Sequence, residues 1–309
     1  VLKLSGKELL NQSRNDINNK LMRVVLKDSF LQNKKIKEIS TQISKYIPPQ
    51  INEQFLRGNY TSQISTKRKK LTIFFSDIKN FTATSENLQP EDLTKYLNEY
   101  FSEMTAIALK YGATIDKYIG DAMMLFFGDP ESYGVEEDAR ACLKMALAMQ
   151  ERMKILQEKW KKQGFAEPFQ VRIGINIGYC NVGNFGSDQR LSYKIIGGEV
   201  NIAQRLEGNA DANGILISYE TYALTQDLVE VEERENLSLK GINRIVKYFA
   251  IKERKLVKYL KYVKKKFHNK INTNNVTVKE SSLEKRLLKI EKNINLLTKK
   301  LNQTNKRKI

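Results

Sequence analysis

The stretch LTIFFSDIKNFT, from Leu71 to Thr82, decides how this chain is read. Four of its first five residues are apolar, Ser76 follows, and Asp77 stands where such a run ends, with Ile78 behind it. The pattern reads as a buried strand with a carboxylate at its tip. A lone Asp in that place is a turn residue or a helix cap. As a metal ligand on a rigid strand end it needs a second carboxylate.

ATIDKYIGDAMMLFF, from Ala113 to Phe127, supplies one. Two apolar runs flank Gly120-Asp121, the signature of a two-residue hairpin turn with Gly at positive φ. If the two strands are neighbours in one sheet, Asp77 and Asp121 project from the same edge. Paired carboxylates suit hard cations that prefer oxygen, Mg²⁺ or Mn²⁺. The chain has one His, His268, which nearly excludes imidazole ligation and His-based acid–base catalysis. Two metals between two carboxylates form a recurring clamp for in-line displacement at phosphorus.

The 309 residues allow one sizeable domain with extensions. The net charge of +18 is unevenly spread: residues 1–70 carry +10, residues 71–251 carry −7 and residues 252–309 carry +15. An acidic centre is no general polyanion binder, and no groove-reading motif is present, so nucleic acid is not expected as a partner. No run of eighteen apolar residues occurs. Cys142 and Cys180 imply neither a disulfide framework nor a zinc site, which fits the reducing cytoplasm. The start at Val1, without Met or a signal pattern, reads as a fragment or an unusual start.

Residues 12–47 read as helical, with Ile36, Ile39, Ile43 and Ile47 at three- and four-residue spacing, until Pro48-Pro49 stops the pattern. The polar, basic TSQISTKRKK reads as a linker, with a boundary near Ser65. Pro90-Glu91-Asp92 opens a helix that Gly112 ends, and a long amphipathic helix covers roughly 135–163. QVRIGINIG alternates as a strand, YKIIGGEVNIAQRLEG reads as strand, turn and helix, and ILIS and VKYFAI as further strands. Helices thus cover a sheet in an α/β or α+β fold. In the tail, Leu283, Leu287, Ile290, Ile294, Leu297 and Leu301 form an a/d seam, the mark of a coiled coil.

FFSDIKNFT, DKYIGDAMMLFFGDP, VRIGINIGYCNVGNFGS, YKIIGGEVNIAQRLE and LKGINRIVKYF follow one another in order. Together they resemble the catalytic domain of class III nucleotidyl cyclases, most nearly that of bacterial adenylate cyclases. The preceding YIPPQINEQFLRGN is similar to the linker usual in those proteins. The resemblance implies an α+β, ferredoxin-like βαββαβ sandwich that works as a homodimer with ATP as substrate. It divides the chain into a helical linker or transducer (1–65), a catalytic domain (66–252) and a basic spacer with a coiled coil (253–309). An upstream sensor or receiver domain fits that plan. The lysines of the tail add a weak contact to anionic membrane as an expectation.

By the same resemblance, Asp77, Asp121 and the backbone carbonyl of Ile78 bind two Mg²⁺ or Mn²⁺ ions per site. Backbone N–H groups from Lys79 to Thr82, Phe81 and Thr82 among them, cradle phosphates. Asn201 orients the ribose, and Arg205, one helical turn on, stabilises the transition state. Lys240 matches a triphosphate-binding Lys. Lys117 matches the residue that selects adenine, since its ammonium donates to N1, whereas guanine N1–H needs an acceptor. Lys194 departs from the pattern: the family usually has Asp or Thr there to accept from the adenine amino group, and a charged Lys accepts nothing. Tyr179 stands where some members carry a phosphate-binding Arg. A guanylate cyclase and an inactive cyclase-homology module that only dimerises remain as alternatives. The short likeness of Gly197-Gly198-Glu199-Val200 to the GGDEF signature of diguanylate cyclases lacks the aromatic residue and runs straight into Asn201 and Arg205.

Overall fold

A computed structural model describes residues 6–44, 46–58, 63–234 and 246–254. In chain order the elements are α1 (Gly6–Ile43), α2 (Pro49–Leu56), β1 (Thr66–Ile78), α3 (Phe81–Glu86), α4 (Pro90–Lys110), β2 (Thr114–Ile119), β3 (Ala122–Phe127), α5 (Val135–Lys162), β4 (Val171–Ser187), β5 (Arg190–Ile196), α6 (Gly198–Gly208), β6 (Ile215–Ser218), α7 (Tyr219–Thr225), β7 (Val229–Glu233) and β8 (Tyr248–Arg254). The chain divides into two compact units, Val1–Gln226 with Val231–Ile251, and Asp227–Glu230 with Lys252–Ile309. Lys240 and the seam from Leu283 to Leu301 lie outside the described residues.

β1 is an interior strand. It pairs antiparallel with β3 on one side and with β4 on the other. Every residue from Leu71 to Ser76 is buried. Side chains alternate between the faces of a strand, and both faces are covered. Leu71, Ile73 and Phe75 pack with Met124, Phe126, Val182, Ile195 and Ala203. On the other face Ser76 Oγ lies 3.3 Å from the Tyr100 hydroxyl of α4. That double burial explains why the apolar run does not alternate.

The sheet runs β2-β3-β1-β4-β6-β8-β7, with β5 paired to β4 off this path. Its first four strands, with α4 and α5 between them, are the expected ferredoxin-like βαββαβ unit. Gly120, at φ +63, makes the two-residue turn between β2 and β3. At Gly174 of β4 an added Cβ would lie 2.2 Å from Glu207 N and 2.3 Å from Ala203 O. Only a glycine lets the backbone of α6 rest directly on the sheet there.

Two expectations change. The basic TKRKK is strand rather than linker, because it pairs with β4 and three of its four cations have a partner. Lys67 and Lys69 reach the buried Asp129 at 3.1 and 2.5 Å, and the Arg68 guanidinium lies 4.5 Å over the Tyr179 ring. Pro48-Pro49 does end the first helical run, which closes at Ile43, but Pro49 also opens α2, since proline is favoured in a first turn. Ile51 of α2 joins the core. Ile36, Ile39 and Ile43 of α1 are exposed. Among the described residues no helix is long and apolar enough to cross a membrane.

The close seat of α6 yields a test. Gly174→Ala should destabilise the chain in urea by about 1–3 kcal/mol, because backbone cannot yield as a side chain can. Gly208→Ala, with open space around its added methyl, should change it by less than about 1 kcal/mol. Equal midpoints for the two variants would contradict the packing described.

Candidate active site

Pairing of β1 with β3 brings the end of one strand to the turn before the other, and so brings Asp77 beside Asp121. Asp121 Oδ2 accepts the backbone N–H of Ile78 at 3.1 Å. The Asp121 carboxyl is pushed up to about 7, first by burial, then by its hydrogen bond to Asp77 and by the charge of Asp77. Two carboxylates this close are reconciled by a shared proton or by a cation between them.

A fixed cation stands on the other side of Asp77. Arg172 of β4 is its direct cross-strand partner. Arg172 Nη2 donates to Asp77 Oδ2 at 3.0 Å and lies 3.1 Å from Glu207 Oε1, while Nη1 donates to the Gly208 carbonyl at 3.2 Å. Glu207 is buried at the end of α6. Its carboxyl is raised to about 7 by burial and the charge of Asp77, against the opposing pull of Arg172. Neither Arg172 nor Glu207 figured in the sequence reading. The available signal was an Arg inside an otherwise apolar strand, VRIGINIG, since such a charge is kept only with a partner.

The donors fit a hard divalent cation. Among the described residues no group of three or more His, Cys, Asp or Glu side chains converges on a metal position. Asp77 and Asp121 would therefore share the ion with backbone carbonyl, water and substrate oxygens, as magnesium sites commonly do. Ile78 is buried and carries the carbonyl assigned to that role. Beyond it, Lys79 N–H donates to the Gln170 carbonyl at 2.8 Å, which takes it out of the expected phosphate cradle. Phe81 and Thr82 open α3 directly afterwards, following Asn80 at φ +56.

Of the remaining sequence-predicted residues, those described stand on β2, β5 and α6. Lys117, on β2, places its Nζ 3.1 Å from Asp116 Oδ1. Lys194, on β5, has its Nζ 5.7 Å over the Phe185 ring. Asn201 is exposed and Arg205 half-buried on α6. The start of that helix is fixed by Asn176 of β4, whose Nδ2 donates to the Glu199 carbonyl at 3.0 Å and to Glu199 Oε2 at 2.9 Å. Among the described residues no hydrogen bond or ion pair joins Lys117, Lys194, Asn201 or Arg205 to Asp77 or Asp121.

Comparison with known proteins gives this geometry a context. Residues 64–252 match the family described as "Adenylate and Guanylate cyclase catalytic domain". Adenylate cyclase 1 of Rhizobium meliloti is 30% identical over 198 residues, 63% of this chain, and the chain spans only 29% of that relative's length. The crystal structure of the adenylyl cyclase CyaB from P. aeruginosa is 50% identical with a TM-score of 0.60, covering 62% of this chain and 97% of that one. The crystal structure of the guanylyl cyclase Cya2 is 33% identical with a TM-score of 0.58, covering 61% and 94%.

The raised carboxyl of Asp121 fixes the sign of a pH dependence. Below about pH 7 the group carries a proton that an incoming Mn²⁺ must displace, so affinity should rise with pH and level off above that value. Calorimetry in buffers of different ionisation enthalpy should find about one proton released near pH 6 and almost none near pH 8. Asp121→Asn should remove the release. A pH-independent affinity would refute the carboxylate pair as the ion's seat.

Proposed function

This chain belongs to the class III nucleotidyl cyclases, and we propose that it converts ATP to 3′,5′-cyclic AMP and pyrophosphate. What supports ATP over GTP is Lys117, a donor where adenine N1 offers an acceptor, together with the 50% identity to an adenylyl cyclase. Lys194 and the likeness to a guanylyl cyclase keep GTP as the second reading. A lysine beside the purine 6-position donates to a keto oxygen and accepts nothing from an amino group.

The reaction is an in-line attack of the ribose 3′-oxygen on the α-phosphorus. Divalent cations held by Asp77, Asp121 and the Ile78 carbonyl would lower the 3′-hydroxyl pKa and neutralise the triphosphate. The N–H groups at the start of α3, near Phe81 and Thr82, orient phosphate oxygens. Asn201 holds the ribose so that its 3′-oxygen faces phosphorus. Arg205 meets the negative charge that grows on the phosphoryl oxygens in the transition state, where a preorganised cation gains most. Lys240 adds a further positive charge for the triphosphate.

The absence, among the described residues, of any hydrogen bond or ion pair within one chain between the two aspartates and Lys117, Lys194, Asn201 or Arg205 is in keeping with a homodimer with shared sites. In it the two carboxylates of one protomer face Lys117, Lys194, Asn201 and Arg205 of its partner, giving two equivalent sites across a two-fold axis. The catalytic domain is residues 66–252. Residues 1–65 act as a transducer whose exposed apolar side chains on α1 pair with the second copy, and the coiled coil near the C-terminus adds a second contact. Two free, buried cysteines are in keeping with a cytoplasmic setting.

Incubating the protein with Mn²⁺ and either ATP or GTP, then identifying the product, tests the reaction. Cyclic GMP as the sole product would overturn the substrate, and no cyclic nucleotide from either would overturn the activity. Asp77→Ala alone and Arg205→Ala alone should each be nearly inactive. Mixed and allowed to exchange subunits, they should recover roughly a quarter of wild-type activity, since half the dimers are mixed and each regains one intact site of two. No recovery, with exchange verified by a labelled subunit, would rule out sites built from two chains.

A further inference from the structure

Asp116 figured in the sequence reading only as part of a motif, yet it is held more tightly than either lysine it adjoins. Thr114 and Ile115 pair with Phe126 and Leu125, and Lys117 pairs with Met124, so Asp116 is the extra residue of a β-bulge in β2. A bulge re-aims a side chain that regular pairing would turn elsewhere. Here it turns a carboxylate inward: the Asp116 side chain has no exposed surface. Its Oδ2 accepts the backbone N–H of Ile195 at 2.9 Å, and its Oδ1 faces Lys117 Nζ at 3.1 Å.

Ile195 follows Lys194 in β5. One buried carboxylate therefore touches Lys117 itself and the residue next to Lys194, although β2 and β5 are not paired strands. On the other flank of Lys194 the Tyr193 hydroxyl donates to the buried Asp129, which Lys67 and Lys69 also engage. Lys194 is thus bracketed: the residue before it is tied to the end of β3, and the residue after it to the bulge of β2. Burial raises the Asp116 carboxyl above the ordinary carboxylate range, while the Ile195 N–H and the charges of Lys117 and Lys194 draw it back down. A lysine's four-carbon stem has little intrinsic orientation. A buried carboxylate against Lys117 Nζ and the Ile195 N–H limits that freedom on one side and ties down the strand that carries Lys194 on the other.

We propose that Asp116 is a positioning residue for nucleotide-base recognition, clamping Lys117 and the Lys194 strand into one base-facing pair. This rests on the reading of Lys117 and Lys194 as base-facing residues. Asp116 does not itself touch the base, because it is fully enclosed. Its effect on binding passes through Lys117, which distinguishes it from a residue that merely holds the fold.

That distinction is measurable in a double-mutant cycle on the full chain. Asp116→Asn keeps an acceptor for Ile195 N–H and removes the charge that holds Lys117, while Lys117→Met removes the ammonium. The probe is 3′-deoxy-ATP with Mn²⁺, which lacks the attacking hydroxyl, so that affinity is read by calorimetry without turnover. Each single variant should bind about tenfold more weakly, and the double variant no more than about twofold more weakly than either. Independent losses that multiply to about a hundredfold would overturn the clamp. So would unchanged or tighter binding by Asp116→Asn, or lost binding accompanied by a thermal midpoint lower by about 10 °C, which marks a fold residue. Failure of the wild type to bind 3′-deoxy-ATP or 3′-deoxy-GTP would remove the base-pocket reading and the clamp together. Binding by the wild type with no cyclic product would remove only the activity and leave the cycle decisive.

Discussion

Two negative charges that would separate if free are held side by side, and much of the arrangement answers to that. Asp77 and Asp121 meet because β1 and β3 are adjacent in a sheet whose core admits no slip: Leu71 to Ser76 are buried, and a one-residue shift would exchange its two faces. At an effective dielectric near 20, two unit charges about 4 Å apart repel by about 4 kcal/mol. The fold answers that cost with an Asp121 carboxyl raised to about 7, with the N–H of Ile78 on one oxygen and with Arg172 against Asp77.

Arg172 extends that constraint beyond the carboxylates. It also faces Glu207 at the end of α6, the helix that carries Asn201 and Arg205, and Gly174 lets that helix lie against β4. Within one protomer the carboxylates and α6 are thus tied through Arg172, and also through the close seat of α6 on β4.

The surroundings of Lys117 and Lys194 follow a different logic. Position 194 carries a donor where the family usually carries an acceptor, and the structure surrounds that departure with two buried carboxylates, Asp116 and Asp129. A buried carboxylate is retained where it is paired and hydrogen-bonded, and both are: Asp116 with Lys117 and Ile195 N–H, Asp129 with Lys67, Lys69 and Tyr193. Lys67 and Lys69 belong to a stretch that local sequence presents as a linker. Their role as counter-ions turns it into the first part of β1.

What the sequence determined by itself was whatever a short window encodes. The buried strand before Asp77, the Gly120-Asp121 turn, the helices opened by Pro90 and ended by Gly112, and the order of strands and helices all follow from periodicity and turn chemistry within about ten residues. The two metal-binding candidates were legible for the same reason, each standing at the end of such a window. Tertiary structure alone decided the partners. Arg172 meets Asp77 across 95 residues of chain, and Asp116 meets Ile195 across 79. Such contacts depend on strand register, on a bulge that no composition announces, and on one glycine that lets α6 sit against the sheet. A residue's type limits what it can bond, but only the packed core fixes which residue comes within reach.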